Sequence, residues 1–136
     1  MEPEECIFFQ LANAGKAGTR HWRDQVAPFG VTSAQALVLA CLVRDDQISA
    51  KQLGKTAHLD SATLTGTLDR MVKSGLVERR DDPEDRRAVR ICLTPLGRKK
   101  GAGIRGIIQS ANQGFLSKLS PAEAMMLREL LKKLYM

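Results

Sequence analysis

The chain has 136 residues, of which 43% are hydrophobic and 26% charged, a balance typical of one globular domain rather than of a disordered chain. The apolar stretch over residues 31–43 is too short to span a membrane, and the acidic first five residues predict no secretory signal. Three widely spaced cysteines favour a reducing cytoplasm over a secreted disulfide scaffold.

Positive charge is concentrated in one part of the chain. Lys and Arg number 21 against 15 Asp and Glu, which gives a net charge of +6. Residues 70–100 alone carry a net charge of +5, whereas residues 1–31 carry −1. A concentrated basic region in a small domain favours a polyanionic partner, most often nucleic acid.

The first part of the chain predicts two helices. An apolar stripe runs through residues 4–28, and the sequence Pro28-Phe29-Gly30 ends this first helix. Thr32 and Gln35 have the spacing of a capping box, so a second helix is expected to begin at Thr32.

Residues 49–74 predict two further helices joined by a tight turn at residues 58–60. Ser49 opens a short helix, Asp60 or Ser61 caps a longer one, and Gly75 stands where that helix would stop. Two helices joined by a turn of three or four residues form a helix-turn-helix.

After Gly75 the apolar period changes from 3.6 to 2, which predicts strands over residues 76–80 and 88–93 with a polar tip between them. A β-hairpin directly after a helix-turn-helix is a winged helix. Thr94 and Ser120 then begin two more helices, each followed by proline at the first helical position.

The predicted fold is therefore mainly α with a small β-hairpin wing, in a single domain over residues 1–136. Residues 32–94 form the winged helix-turn-helix DNA-binding region, and residues 1–31 and 95–136 form dimerisation helices. A compact region of about 60 residues cannot cover the apolar stripes of these flanking helices. We expect Leu127, Leu130, Leu131 and Leu134, with Ile7 or Phe8, to be buried against a partner chain.

The second helix of the helix-turn-helix is the candidate recognition helix, because a helix fits the major groove of DNA. Small residues on its outer side allow close approach, and its hydroxyl and basic side chains can meet bases or phosphates. The candidate contacts are Ser61, Thr63, Thr65, Thr67, Arg70 and Lys73. Taken alone, such a helix is more often an ordinary amphipathic surface helix, and its place between a short helix and a basic hairpin is what favours DNA binding.

The hairpin tip is a second candidate contact. Arg86 and Arg87 lie at a turn that can reach an adjacent minor groove, whose negative potential attracts arginine. Asp85 is expected to hold the Arg87 guanidinium through a charge-assisted bond. The competing interpretation is a solvated charged turn.

Several motifs resemble those of the MarR family of bacterial transcription regulators. The most specific is a wing pattern of Asp85, Arg87, Leu93 and Thr94 at the family's spacing. The segments at residues 29–35, 59–65 and 73–77 resemble the family's second helix start, recognition-helix opening and exit into the wing. The resemblance implies a cytoplasmic homodimer that reads a palindromic operator in double-stranded DNA, with Arg87 in the minor groove and Asp85 orienting it.

The resemblance leaves the controlling signal open. Many relatives are repressors released by a small aromatic or anionic effector, which is the interpretation we favour. Others sense peroxides through a cysteine near the start of the first helix, where Cys6 lies. The tyrosines expected around such a cysteine are missing, since the chain has one tyrosine, Tyr135. Glu4 and Glu5 beside Cys6 also oppose a reactive thiolate, so a packing role is favoured.

Other functions find little support in the sequence. His21 and His58 have no recurring ligand spacing, no phosphate-binding glycine loop follows a strand, and no serine has a nucleophile context, so no metal, cofactor or catalytic residue is expected. The remaining alternative is a winged helix that serves as a protein-interaction module.

Overall fold

The computed structural model describes all of residues 1–136 and contains six α-helices and three short strands. The elements in chain order are α1 (Ile7–Val26), α2 (Ser33–Arg44), β1 (Ile48–Ser49), α3 (Ala50–Ala57), α4 (Ser61–Lys73), β2 (Val77–Asp81), β3 (Val89–Leu93), α5 (Pro95–Phe115) and α6 (Pro121–Tyr135). Short 3₁₀ turns at Pro3–Glu5 and Ala27–Phe29 flank α1. The helix-turn-helix and wing are present, so the predicted fold class is confirmed.

The helix ends follow the signals in the sequence. The hydroxyl of Thr32 accepts a hydrogen bond from the Gln35 backbone N–H (3.2 Å), and the Gln35 side chain accepts one from the Thr32 N–H (3.1 Å). Ser120 and Glu123 form the same reciprocal capping box at α6. Gly75 has a φ of 75°, a conformation that glycine adopts without steric cost.

The three strands form one antiparallel sheet in the order β1-β3-β2. The two-residue strand β1 was not predicted; it pairs Ile48 with Ile91 at the base of the wing. Strands β2 and β3 pair from Val77 opposite Leu93 outward to Asp81 opposite Val89. The wing is therefore a three-stranded structure at its base and a two-stranded hairpin towards its tip.

The chain divides into two compact units, and the larger is Trp22–Ile107. It contains the predicted region 32–94 and one hydrophobic core built from α2, α3, α4, the sheet and parts of α1 and α5. The fully buried side chains of this core include Val26, Leu39, Leu42, Leu53, Met71, Ile91 and Ile104. Burial of these apolar side chains is the main stabilising contribution in this unit.

The wing is tied to the start of α5 by Thr94. Its hydroxyl donates to the carbonyl oxygens of Gly75 (2.6 Å) and Leu76 (3.1 Å) and accepts from the Gly97 backbone N–H (3.0 Å). A Cβ added at Gly97 would overlap the Leu76 carbonyl oxygen, so α5 can approach the start of β2 only because residue 97 has no side chain.

The smaller unit comprises Met1–His21 and Ile108–Met136. Within it, a His21 ring nitrogen lies 3.1 Å from the Ala111 carbonyl oxygen and the ring packs against Phe115. Many of its large apolar side chains remain exposed in the single chain, among them Ile7, Phe8, Met125, Met126, Leu130, Leu131, Leu134 and Tyr135. An apolar face of this extent is typical of a surface that another chain covers.

No single helix is both long enough and apolar enough to cross a membrane; α1 with its following turn and α2 pass such a test only as a pair bent by 72°.

Candidate nucleic-acid interface

The turn before α4 fixes the start of the candidate recognition helix. His58 ends α3 in the left-handed conformation (φ 53°), and the Leu59 N–H bonds to the Gly54 carbonyl oxygen at 3.1 Å. Asp60 then caps α4, since its carboxylate accepts from both the backbone N–H (2.8 Å) and the hydroxyl (2.9 Å) of Thr63. These hydrogen bonds lower the pKa of Asp60, so the cap is charged at neutral pH.

The two faces of α4 are clearly separated. Leu64, Leu68 and Met71 are buried and hold the helix against the core. Five of the six candidate contacts on this helix are exposed: Ser61, Thr63, Thr65, Arg70 and Lys73. The Arg70 guanidinium lies over Gly66: its Nη1 is 3.6 Å from the position that a Cβ of residue 66 would occupy. The outer face of α4 therefore presents hydroxyls and two cations.

The prediction is wrong for the sixth candidate on α4, because Thr67 lies on the buried face. Its side chain is only 1% exposed, and its hydroxyl donates to the Thr63 carbonyl oxygen at 2.8 Å. Thr67 lies on the same face of the helix as the buried Leu64 and Leu68, although its hydroxyl is polar. Since a backbone carbonyl of the helix accepts the hydrogen bond from this hydroxyl, Thr67 is part of the core and is not available to DNA.

The wing tip is organised by two aspartates. Asp82 accepts from the Glu84 backbone N–H at 2.9 Å, and Asp85 accepts from the Arg87 backbone N–H at the same distance. The expected bond from Asp85 to the Arg87 guanidinium is not formed, because the carboxylate accepts from the Arg87 backbone instead. Arg86 and Arg87 are exposed, and neither guanidinium is engaged in an ion pair or hydrogen bond within the chain.

The cations of the winged helix fall into two groups. Arg44, Arg79, Arg80 and Arg90 each form an ion pair within the chain, at 2.6 to 3.1 Å. The others form none: Lys51, Lys55, Arg70, Lys73, Arg86 and Arg87. Lys51 and Lys55, one turn apart on α3, were missed by the sequence analysis, because a short helix with two lysines carries no motif. The unpaired cations lie on α3, α4 and the wing tip.

A groove of about 640 Å³ lies between α3, α4 and the two longer strands. Its lining combines apolar side chains with cations and contains no carboxylate. The lining residues are Ala50, Lys51, Gly54, Lys55, Leu59, Ser61, Leu64, Thr65, Leu68, Arg79, Val89 and Ile91. Asp69, outside this lining, pairs with Arg79 at 2.6 Å. Nothing in the sequence indicated this groove, because its lining comes from four separate elements.

The three cysteines are free thiols. Burial raises the pKa of Cys41 and of Cys92, so both thiols remain protonated and act as packing groups. Cys6 is half-buried between the first turn and α1. No three His, Cys, Asp or Glu side chains are grouped to hold a metal ion.

Comparison with known proteins agrees with this geometry. The sequence model of the MarR family matches residues 31–89. The organic hydroperoxide resistance transcriptional regulator of Bacillus subtilis is 32% identical over 111 residues, covering 79% of this chain and 76% of that protein.

Two solved structures are similar over nearly the whole chain. A mutant of Escherichia coli MarR complexed with operator DNA has a TM-score of 0.88 at 29% identity, covering 100% of this chain and 99% of that chain. Bordetella bronchiseptica BpsR, whose DNA binding is regulated by 6-hydroxynicotinic acid, has a TM-score of 0.89 at 28% identity, covering 98% and 96%. The chain therefore belongs to the MarR family of DNA-binding transcriptional regulators.

Proposed function

We propose that a homodimer of this chain represses transcription in the cytoplasm by occupying a palindromic operator, and that a small aromatic or anionic effector releases it. The observation that supports DNA binding is the group of unpaired cations around the exposed hydroxyl face of α4. Exposed cations with no partner in their own chain are free to meet phosphates. The MarR complex with operator DNA, at a TM-score of 0.88, supports the same use of this surface.

Each candidate residue has a role in this proposal. Ser61, Thr63 and Thr65 contact base edges or phosphates in the major groove, and Arg70 and Lys73 supply charge. Arg86 and Arg87 enter the adjacent minor groove, and Asp85 shapes the turn that presents them.

The homodimer is supported by the uncovered apolar face of the smaller unit. Leu130, Leu134 and Tyr135 on α6 are 49%, 67% and 64% exposed in the single chain. A second copy of the chain offers a matching apolar face, and a two-fold symmetric pair fits a palindromic operator.

The test begins with selection of bound sequences from random DNA, followed by fluorescence anisotropy of the selected operator at several salt concentrations. DNA reading predicts enrichment of a palindrome and a steep fall of affinity with salt. If no sequence is enriched and no salt-dependent binding is found, the chain is instead a protein-interaction module.

The groove beside α4 is our candidate effector site. Its apolar lining and the unpaired Lys51 and Lys55 suit a small molecule with an apolar ring and a negative charge. An occupant would lie between the recognition helix and the wing, so it can change the distance between the two DNA-contacting elements. The regulation of BpsR by 6-hydroxynicotinic acid supports an effector of this chemistry.

This part of the proposal has its own test. Benzoate and related aromatic carboxylates should raise the melting temperature and release operator DNA. Lys51→Gln with Lys55→Gln should abolish the rise in melting temperature, a readout that does not depend on the DNA contacts of these lysines. The neutral amide of the same ring is the matched control. A rise in melting temperature that persists in the double variant would place the effector elsewhere, and the proposed DNA binding would still stand.

A peroxide-sensing function through Cys6 is the second candidate, since one relative is a regulator of organic hydroperoxide resistance. We expect treatment with an organic hydroperoxide to leave operator binding intact. Release that disappears in Cys6→Ser would assign the redox function instead.

A further inference from the structure

Arg90 joins the wing to the body of the winged helix. Its Nε donates to Asp82 Oδ2 at 3.1 Å, at the start of the hairpin tip. Its Nη1 donates to the Gln47 carbonyl oxygen at 3.3 Å, in the loop between α2 and β1. One guanidinium therefore bridges two segments that lie 35 residues apart in sequence.

Both anchors of this bridge are held in place by further bonds. The Asp82 side chain is only 13% exposed, and its Oδ1 accepts from the Glu84 backbone N–H at 2.9 Å. Next to Gln47, Asp46 Oδ1 accepts from the backbone N–H groups of Gln47 (2.8 Å) and Leu93 (3.0 Å). Asp46 Oδ2 accepts from Arg98 on α5 at 2.6 Å. The guanidinium of Arg90 thus connects the tip turn to a loop that is fixed to β3 and α5.

Arg80 shows that this bridge is not a general property of cations on the sheet. It lies directly opposite Arg90 in the antiparallel register. Its guanidinium pairs with Glu78 on its own strand, two residues away, at 3.0 Å. Arg80 therefore connects neither the tip nor the loop, and it offers a matched control in the same sheet.

We propose that Arg90 is a positioning residue for DNA binding: it fixes the angle of the wing so that the tip arginines meet the DNA, and it does not contact DNA itself. This inference rests on the proposed role of the wing. The hairpin beyond β1 has two strands and little core, since Val89 is 37% exposed, so the apolar contacts of the tip alone hold its direction weakly. An exposed cation on the wing of a DNA-binding protein would ordinarily be assigned to a phosphate, and the pairing of Arg90 argues against that assignment.

A double-variant cycle with Arg87 separates the two roles. If Arg90 acts through the wing, Arg90→Met should weaken operator binding about fivefold in the otherwise unchanged chain. In the Arg87→Ala background it should cause little further loss and leave the salt slope unchanged, because the contact that it positions is already gone. If Arg90 binds a phosphate independently, the two losses multiply and each variant lowers the salt slope. That result would overturn the proposal.

Two further variants keep the test sharp. Asp82→Asn should also weaken binding, although it removes a negative charge near DNA; tighter binding would contradict the positioning role. Arg90→Lys keeps the charge but has no planar fork to serve both anchors, so it should weaken binding about as much as Arg90→Met. A phosphate contact would largely survive this change. Melting temperatures identify any variant whose loss reflects unfolding.

The same titrations give the result for the control variant, Arg80→Met. They also show whether a failure concerns the positioning role of Arg90 or the proposed DNA contact of the wing. Arg80→Met should have a small effect that is the same with and without Arg87→Ala. If Arg87→Ala itself leaves affinity unchanged, Arg87 does not contact DNA, and the positioning role falls together with that part of the proposed function. If Arg87→Ala weakens binding and the loss from Arg90→Met multiplies with it, only the positioning role is wrong.

Discussion

Asp85 Oδ1 accepts a hydrogen bond from the backbone N–H of Arg87 at 2.9 Å and so shapes the turn from which the Arg87 side chain extends. The Ala88 N–H bonds to the Asp85 carbonyl oxygen at 3.1 Å and closes the same turn. The carboxylate is therefore bound to the backbone of the tip, and the guanidinium remains available to an external anion.

This contact predicts different results for two substitutions of Asp85. Asp85→Ala should weaken operator binding, because the turn that presents Arg87 loses its hydrogen bond. Asp85→Asn should retain most of the affinity, since an amide oxygen also accepts from a backbone N–H. Arg87→Ala should cost about 1–3 kcal/mol of binding free energy, the usual value of a well-placed arginine contact. Fluorescence titration measures all three, and tighter binding by Asp85→Ala would refute the role of the turn.

The burial of Thr67 predicts that its hydroxyl has no part in DNA reading. Thr67→Val preserves the shape of the side chain, so we expect unchanged operator preference and a change in unfolding free energy below about 1 kcal/mol. Thr63→Val, the same substitution on the exposed face, should alter the preference because it removes an exposed hydroxyl, whose oxygen can still accept from DNA while the hydroxyl donates to Asp60 Oδ2 at 2.9 Å. Comparison of the two variants by selection from random DNA and by urea unfolding checks this difference.

The unpaired state of Lys73 predicts a phosphate contact. Lys73→Ala should weaken binding to all sequences alike and reduce the slope of log affinity against log salt by about one unit. Arg44→Ala is the control, because Arg44 is already paired with Asp45 at 2.9 Å. An equal loss of slope in both variants would mean that only overall charge matters.

The cap at Asp60 predicts acid sensitivity of α4. Its pKa is lowered from the ordinary value of 3.8 mainly by the hydrogen bond from the Thr63 backbone, then by that from the Thr63 hydroxyl. A lowered pKa means that the stabilisation is fully present above the ordinary value and is lost as the pH falls through the folded-state value. Asp60→Asn keeps an accepting oxygen without titrating, so its stability should fall less in acid. Urea unfolding at several pH values measures this slope.

The exposed apolar face of α6 predicts that assembly depends on it. Leu130→Glu with Leu134→Glu should shift the chain from dimer to monomer or aggregate in sedimentation experiments, because charges would be buried in the partner surface. Lys132→Glu, a charge change on the same helix, should leave the dimer intact. A wild-type chain that sediments as a well-folded monomer would contradict the homodimer.

The sequence predicted the helices and the wing because their signals are local. Capping boxes at Thr32 and Ser120, glycine at residue 75 and a change of apolar period each depend on a few neighbouring residues. Strand β1 was not predicted because two residues are too few to show an alternation of apolar and polar side chains. Its partner, β3, is also more than 40 residues away in the sequence. The close approach of Gly97 to the Leu76 carbonyl was also not predicted, because the two residues are distant in sequence. A glycine in a helical stretch by itself predicts only a lower helix propensity.

The candidate site was predicted less completely than the fold. Residue type identified the exposed side chains of α4 but was misleading at Thr67, whose spacing of three residues after Leu64 and four before Met71 puts it on the core side. The pairing of cations is a tertiary property, so the sequence could not distinguish unpaired Lys51 and Arg87 from paired Arg79 and Arg90.

The apolar residues left exposed on α1 and α6 also bear on how a promoter responds to this regulator. A chain that needs a second copy to cover this face forms dimers only as its concentration rises, and a palindrome requires both copies. When most chains are monomeric, operator occupancy therefore increases with the square of the amount of protein rather than in proportion to it. Modest changes in synthesis or degradation of the chain would then switch the promoter over a narrow range.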